Sequence, residues 1–270
     1  MIIAVDTGGT KTLIATFLQD GSIKDHTKFP TPQNFSEYTS LTVDTIKSLS
    51  GSEQVDAIVV AIPGIIRDGI AINCPNLSWE NVPVRDALSS HFPEVPIYIE
   101  NDANLGGMGE ARMLDDIPKC SLYVTISTGI GTGIIEHGKI DESMSGSEAG
   151  HMLLEYKDLV QPWEEFASGG AIYRAYKKMG SEITDESTWR EIADRIAHGF
   201  YALIPVIQPD VVIIGGSMGT HFPKYKHFLI DDLKSKMPYY LSMPLFATAK
   251  HPEEAVINGC YYYAIDHLSD

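Results

Sequence analysis

The chain has 270 residues, a hydrophobic fraction of 44% and a formal net charge of −16 at pH 7. These values suit a globular protein with two modest domains, and the negative charge argues against nucleic acid and anionic membranes as partners. Cys74, Cys120 and Cys260 lie far apart and form no Cys-x-x-Cys pair, so neither a disulfide framework nor a cysteine zinc site is expected.

The sequence predicts neither export nor membrane insertion. No apolar run approaches membrane-spanning length. Residues 1–5 read as the start of a strand and have no basic region of the kind that opens a signal peptide. Because the cysteines also favour a reducing compartment, we expect a cytoplasmic protein.

The first half of the chain alternates predicted strands and helices. The expected strands are 2–6, 12–17, 23–27, 55–61 and 95–99. Residues 65–72 are expected to form a short hairpin. The expected helices are 36–49, 83–90 and 104–113.

After Asp115-Asp116-Ile117-Pro118 the pattern begins again with a strand, a glycine-rich turn and a strand. Further on we expect helices at 189–207, 223–236 and 252–268 and a buried strand at 211–214. This architectural repeat predicts an N-terminal α/β lobe at 1–115 and a C-terminal α/β lobe at 116–270, and the last helix is expected to pack back on the first lobe.

Two glycine-rich turns follow predicted strands and are typical of anion binding. In the first, Gly8 and Gly9 let backbone N–H groups approach a ligand closely, and Thr10 and Lys11 add polar and positive groups. Asp6, at the end of the preceding strand, is placed to hold Mg²⁺ or its waters. A glycine-rich hairpin turn without a ligand is the alternative reading.

The second turn contains five residues that we assign to phosphate binding: Thr128, Gly129, Gly131, Thr132 and Gly133. No Gly-x-x-x-x-Gly-Lys-Ser/Thr sequence is present, and the turn lacks the third glycine of a dinucleotide fingerprint. A later pair, Gly215-Gly216, would let an adenine ring lie against backbone, although a simple strand-to-helix turn explains it equally well.

Polar residues that suit a sugar accompany these turns. Asn76 offers donors and acceptors to a polyol, with an Asx-turn as the alternative. Asn101 and Asp102 follow a predicted parallel strand, where ligands of open α/β sheets gather. Asp102 could accept a proton from a substrate hydroxyl, or it could cap the next helix; the two roles are compatible.

Glu148 and His151 lie three residues apart, and Glu164 follows thirteen residues later. Carboxylates and an imidazole bind sugar hydroxyls well. Zinc is the alternative, but no thiolate is available to complete such a site, so no zinc is expected.

Taken together, the motifs resemble the ROK family of sugar kinases and related repressors, over nearly the whole chain. The matching stretches, in order, are Asp-x-Gly-Gly-Thr-Lys, Pro-Gly, Pro-Asn-Leu-x-Trp, Glu-Asn-Asp-Ala-Asn, Ser-Thr-Gly-Ile-Gly-x-Gly, Glu-x-Gly-His, Ala-Ser-Gly and Gly-Gly. The resemblance implies an α/β, actin-like ATPase-domain (ribonuclease H-like) fold with two lobes and a central cleft.

The resemblance also implies ATP with Mg²⁺ and a hexose or N-acetylhexosamine acceptor, usually phosphorylated at the 6-hydroxyl. Asp102 then matches the catalytic base. The family's sugar contacts correspond to Asn76, Asn101, Glu148, His151 and Glu164. Its phosphate-binding loops correspond to the turns at 8–11 and 128–133, and its adenosine-side turn corresponds to Gly215-Gly216. A homodimer is expected by analogy with the family.

This chain departs from the family pattern in one segment. Many family members have a cysteine-rich zinc loop after the Glu-x-Gly-His motif, whereas residues 152–163 here are short and contain no cysteine. Glucose and N-acetylmannosamine are the leading predicted substrates. Fructose and β-glucosides stay open, as does a non-catalytic sugar-binding regulator. The family's DNA-binding repressors are disfavoured because the chain begins at the first strand and is acidic.

Overall fold

A computed structural model describes residues 1–252 and 254–269. The chain divides into two compact units, of which unit 1 comprises Met1–Gly109 with 254–269 and unit 2 comprises Glu110–Pro252. Each unit has its own five-stranded sheet and its own hydrophobic core. The predicted lobe 116–270 includes Glu253 and Asp270, and the predicted helix 252–268 includes Glu253; these two residues lie outside the described residues.

The strands, in chain order, are β1 (Ile2–Thr7), β2 (Lys11–Phe17), β3 (Ile23–Pro30), β4 (Ala57–Ile62), β5 (Ile65–Arg67), β6 (Ile70–Cys74), β7 (Trp79–Val82), β8 (Ile97–Asn101), β9 (Cys120–Ile126), β10 (Ile130–Glu136), β11 (Lys139–Ile140), β12 (Leu153–Tyr156), β13 (Leu159–Pro162), β14 (Val211–Gly215) and β15 (Leu245–Thr248). The helices are α1 (Phe35–Ser50), α2 (Val84–Ser89), α3 (Asp102–Arg112), α4 (Trp163–Ala167), α5 (Gly169–Tyr176), α6 (Glu186–Ile207), α7 (Gly216–Gly219), α8 (Phe222–Lys236) and α9 (Ala255–Ser269).

The sheet of unit 1 has the strand order β3-β2-β1-β4-β8, in which β1, β4 and β8 are parallel. Every residue of β4 is apolar and buried, as expected for a strand covered on both faces. The register pairs Asp6 with Ala61 and Ala61 with Glu100. The carboxyl ends of these three strands therefore bring Asp6 and the Glu100-Asn101-Asp102 segment to one edge of the sheet.

The sheet of unit 2 has the strand order β11-β10-β9-β14-β15, with β9, β14 and β15 parallel. Gly215 pairs with Thr125, so the turns that follow β9 and β14 lie at the same edge. The long helix α6 begins where the Asp185 side chain accepts a hydrogen bond from the backbone N–H of Thr188. Its apolar face, which includes Trp189 and Phe200, is buried in the core of unit 2.

Most predicted elements are confirmed to within a few residues, including the three N-terminal strands, the hairpin at β5–β6 and the helices α1, α6 and α8. The sequence analysis did not predict β7, the β12–β13 hairpin, β15 or the short helices α4, α5 and α7. Each is too short for its apolar periodicity to stand out, so its structure depends on contacts elsewhere in the fold. None of the helices in the described residues combines the length and apolarity that crossing a bilayer requires.

Near the end of α3, the buried carboxylate of Glu110 holds a distant part of the chain. Its two oxygens accept hydrogen bonds from the backbone N–H groups of Lys250 and His251, both at 2.8 Å, and the residue is 2% exposed. Hydrogen bonds to a buried charge are strong, and losing them leaves two backbone donors unsatisfied. Glu110 therefore fixes the segment after β15 against α3.

We expect Glu110→Ala to lower the free energy of unfolding by about 2–4 kcal/mol, since it removes both acceptors. Urea unfolding followed by circular dichroism measures this change. Glu94→Ala, at an exposed glutamate of unit 1, is the control and should change stability by less than about 0.5 kcal/mol. Equal stability of the two variants would mean that water replaces the carboxylate at no cost.

Candidate functional site

The first glycine-rich turn connects β1 to β2 and is held by bonds to distant residues. Within the turn, the N–H of Gly8 donates to the carbonyl of Lys11 at 3.0 Å. The hydroxyl of Thr31 donates to the carbonyl of Gly8 at 2.7 Å, and Thr7 shares a hydrogen bond of 2.7 Å with the hydroxyl of Tyr38. The backbone of the turn is therefore fixed by the protein itself, while the side chains of Thr10 and Lys11 are exposed.

Asn76 lies directly beside this turn. It belongs to a 3-10 turn, Pro75–Leu77, and is exposed. A Cβ atom placed on Gly9 would come within 2.8 Å of the Asn76 carbonyl oxygen, closer than real side chains allow. The predicted phosphate turn and the predicted sugar contact of unit 1 are thus brought together, and a glycine is required at position 9 for that approach.

Asp6 has the chemistry that a magnesium ion needs. This half-buried residue is the last but one of β1 and lies next to the turn. Burial raises the pKa of Tyr38 to about 12, and the charge of Asp6 adds to this effect. Within residues 1–252 and 254–269, no group of three or more His, Cys, Asp or Glu side chains is placed to hold a metal. Phosphate oxygens and water are the usual remaining ligands of a protein-bound Mg²⁺ ion.

The end of β8 carries a hydrogen-bonded network around Asp102. The Asn101 Oδ1 atom accepts from the N–H groups of Ala103 at 2.8 Å and Asn104 at 3.1 Å, which makes Asn101 the cap of α3. Its Nδ2 donates to the carbonyl of Gly64 at 2.9 Å. Asn101 thus fills the capping role that the sequence analysis considered for Asp102, and these bonds occupy both of its oxygen lone pairs.

Glu100 supports the same corner. Its Oε1 accepts from the N–H of Asn101 at 2.7 Å and from Nδ2 of the buried Asn104 at 2.9 Å. Burial raises the pKa of Glu100, while these hydrogen bonds oppose the shift. Asp102, the first residue of α3, therefore directly follows two side chains that are fixed by hydrogen bonds.

In unit 2 the second glycine-rich turn connects β9 to β10. The Ser127 N–H donates to the carbonyl of Gly129 at 2.9 Å, and Thr128 is exposed. Thr132 and Gly133 lie within β10, and Thr132 is 5% exposed. Both residues belong to the strand that follows the turn, and their predicted phosphate contacts stay a prediction.

Glu148, His151 and Glu164 are brought together beside this turn. The Glu164 Oε1 atom lies 3.3 Å from Nε2 of His151, and its Oε2 accepts from the N–H of Ile130 at 3.1 Å. Burial raises the pKa of Glu148; the nearby His151 opposes this shift and the charge of Glu164 adds to it. The Glu164 carboxylate thus orients the imidazole of His151.

The turn after β14 contacts the turn after β9. The Ser127 hydroxyl accepts from the N–H of Ser217 at 3.0 Å. Gly216 has φ = +74°, and a Cβ there would lie 2.6 Å from both the carbonyl oxygen of Ile126 and the Ser127 hydroxyl. Only glycine accommodates both the backbone angle and the close contact.

A cavity of about 290 Å³ opens between these two turns and the N-terminus of α5. The turns contribute Ser127, Thr128 and Ser217 to it, and α5 contributes Gly169 and Gly170. Its remaining lining residues are Ile172, Tyr173, Lys178, Met179, Gly180, Ser181, Met218 and His221. Apolar walls with a few polar groups are typical of a pocket for a flat heterocycle.

Several residues of these sites were missed by the sequence analysis. The Ala-Ser-Gly stretch was recognised as a motif, but Gly169 and Gly170 were not assigned to the nucleotide side. Asn104, within Glu-Asn-Asp-Ala-Asn, was likewise quoted without a role. Thr31 and Tyr38 gave no local signal, because they reach the first turn only through the tertiary fold.

We expect Glu148→Gln to raise the melting temperature at about pH 8 more than at about pH 4. A carboxyl whose pKa is raised by folding favours the fold when protonated, and this contribution is lost as the pH rises through the raised pKa. Scanning fluorimetry at both pH values measures the difference, with Glu142→Gln at an exposed position as the control. A lower melting temperature for Glu148→Gln at about pH 8 would show that His151 stabilises the charged form more than burial penalises it.

Comparison with known proteins places the chain in a family. The ROK family model matches residues 2–267. N-acetylmannosamine kinase from Shigella boydii serotype 18 is 31% identical over 248 residues, which are 80% of this chain and 83% of that protein. A xylose repressor from Caldicellulosiruptor bescii is 26% identical over 254 residues, or 78% of this chain and 63% of that protein.

A ROK family glucokinase from Streptomyces griseus, solved with glucose and AMPPNP, has a similar structure. The TM-score is 0.81 at 21% identity, and the match covers 98% of this chain and 99% of that chain. This similarity confirms the predicted α/β, actin-like ATPase-domain fold. Since the family model spans nearly the whole chain and the relative at 31% identity covers most of it, the chain belongs to the ROK family.

Proposed function

We propose that this member of the ROK family is an ATP-dependent sugar kinase that phosphorylates a hexose or an N-acetylhexosamine at the 6-hydroxyl. One observation carries the proposal: in each unit, a glycine-rich turn lies against residues suited to a sugar. In unit 1 the backbone of Gly9 lies against Asn76. In unit 2 the N–H of Ile130, next to Gly129, is bonded to Glu164, which pairs with His151.

In the proposed site the sugar hydroxyls are bound by Asn76, Glu148, His151 and Glu164, with Asn101 as a further contact through its remaining amide N–H. ATP lies with its phosphates at the two glycine-rich turns and its adenosine in the cavity bounded by Ser217 and α5. Exclusion of water during the transfer would prevent water from competing with the sugar as acceptor.

Asp102 is the proposed general base. The proton of the attacking hydroxyl passes to its carboxylate while the hydroxyl oxygen forms a bond to the γ-phosphorus. The bond from that phosphorus to the bridging oxygen of ADP then breaks, and ADP leaves. Magnesium held at Asp6 would supply charge neutralisation on the phosphates. Such transfer depends mainly on positioning and electrostatics, which fits turns made of fixed backbone N–H groups.

Glucose and N-acetylmannosamine are our leading substrates. The Shigella relative is named for N-acetylmannosamine, and the structural neighbour was solved with glucose. Fructose and β-glucosides are alternatives within the same enzyme class. We place the reaction in the cytoplasm, where ATP is available, and propose a homodimer by analogy with the family.

A sugar-binding regulator is the second candidate function, and the match to a xylose repressor is the observation that favours it. A regulator of this kind does not need a general base or ordered phosphate turns. The kinase is supported by the presence of Asp6, Asp102 and both glycine-rich turns, of which the first is fixed by the hydrogen bond from Thr31 to Gly8.

The test is ADP release from MgATP with glucose, N-acetylmannosamine, N-acetylglucosamine, fructose and cellobiose. We expect turnover with one of these sugars, and a loss of about 10²–10⁴-fold in kcat for Asp102→Asn with the sugar KM nearly unchanged, because only the base is removed. Asp116→Asn, at an exposed aspartate of unit 2, is the control and should behave as the wild type.

Two results would contradict the proposal. A near-normal kcat for Asp102→Asn would remove the base assignment. Thermal stabilisation by one sugar without any ADP release would favour the sugar-binding regulator instead.

A further inference from the structure

Glu164 contacts two different parts of the candidate site with its two carboxylate oxygens. Oε1 lies 3.3 Å from Nε2 of His151, and Oε2 accepts from the N–H of Ile130 at 3.1 Å. Glu164 belongs to α4, where the preceding Trp163 is fully buried in the core of unit 2. Because α4 is anchored by Trp163 and each contact uses its own oxygen, both contacts form at the same time.

The backbone of Ile130 is the point where these contacts reach the nucleotide side. Ile130 begins β10 and directly follows Thr128-Gly129. A Cβ on Gly129 would lie 2.6 Å from Glu164 Oε2, so the carboxylate packs against the turn itself. A Cβ on Gly150 would lie 2.1 Å from the Ile130 carbonyl oxygen, so the segment that carries His151 packs against the next peptide group of the same residue.

This arrangement affects how tightly the second glycine-rich turn binds a phosphate. A turn that binds phosphate through backbone N–H groups binds more tightly when the protein holds it in one conformation beforehand, since less ordering is required on binding. The peptide of Ile130 is held by a side chain that also faces the proposed sugar subsite through His151. A ligand in one subsite that changes the position of Glu164 must therefore also affect the other subsite. Thermodynamic linkage makes the effect of each ligand on the affinity for the other reciprocal.

We infer that Glu164 is a positioning residue for the second glycine-rich turn, and that through it the sugar subsite and the nucleotide subsite are energetically coupled. The inference rests on the proposed kinase function. It assigns Glu164 a role in binding ATP that a sugar contact alone does not have. The hydrogen bond to Ile130 carries the nucleotide effect, and the contact with His151 carries the sugar effect.

Four variants separate these two contacts. Glu164→Ala loses both of them. Glu164→Gln keeps an acceptor for the Ile130 N–H but loses the charge that faces His151. His151→Gln leaves the bond to Ile130 in place. Glu165→Ala is the matched control, because this neighbouring glutamate pairs with Arg174 on an exposed surface and makes neither contact.

The first measurement is the Kd of AMPPNP with Mg²⁺, by calorimetry without sugar. We expect Glu164→Ala to weaken binding by roughly 3- to 10-fold, the usual effect of one lost hydrogen bond, and Glu164→Gln, His151→Gln and Glu165→Ala to bind as the wild type does. The second measurement is the sugar KM, which should rise in the first three variants and stay unchanged in Glu165→Ala. Saturating sugar should change the AMPPNP Kd of the wild type but not that of Glu164→Ala.

The outcomes distinguish this inference from the proposed function. If the wild type binds AMPPNP and phosphorylates a sugar while Glu164→Ala binds AMPPNP equally well, the inference is wrong and the kinase assignment stands. If the wild type binds no AMPPNP, both fail. Should Glu164→Ala not fold, Glu164→Asp carries the same expectation, because its shorter side chain cannot reach Ile130 and His151 together.

Discussion

The hydrogen-bonded register of the parallel strands determines where every candidate residue lies. In unit 1, β1, β4 and β8 end together. Asp6 and Glu100, which are 94 positions apart in the sequence, therefore lie on the same edge of the sheet. In unit 2, β9 and β14 end together, which places Ser127 beside Gly216. A strand shifted by one residue would turn these side chains to the opposite face, so the buried faces of β4 and β14 indirectly fix the site.

Polar contacts within each unit hold the carboxylates of the candidate site in position. Asn101 caps α3 and Glu100 bonds to Asn104, so the segment around Asp102 is rigid. In unit 2, Glu164 faces an imidazole on one side and a backbone N–H on the other. Such networks keep carboxylates in defined positions in a chain of strongly negative net charge, where unpaired carboxylates would repel one another.

The segment after the Glu-x-Gly-His motif shows how a fold can replace one structural device with another. Where many family members have a cysteine-rich zinc loop, this chain forms the short β12–β13 hairpin followed by α4. The hairpin delivers Trp163 into the core and Glu164 to His151. A carboxylate–imidazole contact is weaker than metal ligation, but it defines the direction of the ring.

The sequence by itself determined the order of the motifs, the buried parallel strands, the long helices and the family, because each is written in local patterns of apolar residues, glycines and caps. The tertiary structure alone decided that Thr31 and Tyr38 hold the first turn, that Gly9 lies against Asn76, and that Glu164 reaches Ile130. It also showed that Asn101 is the cap beside Asp102 and that Thr132 is buried. These contacts join residues far apart in the chain, and no local pattern specifies a partner that only strand register and core packing bring into reach.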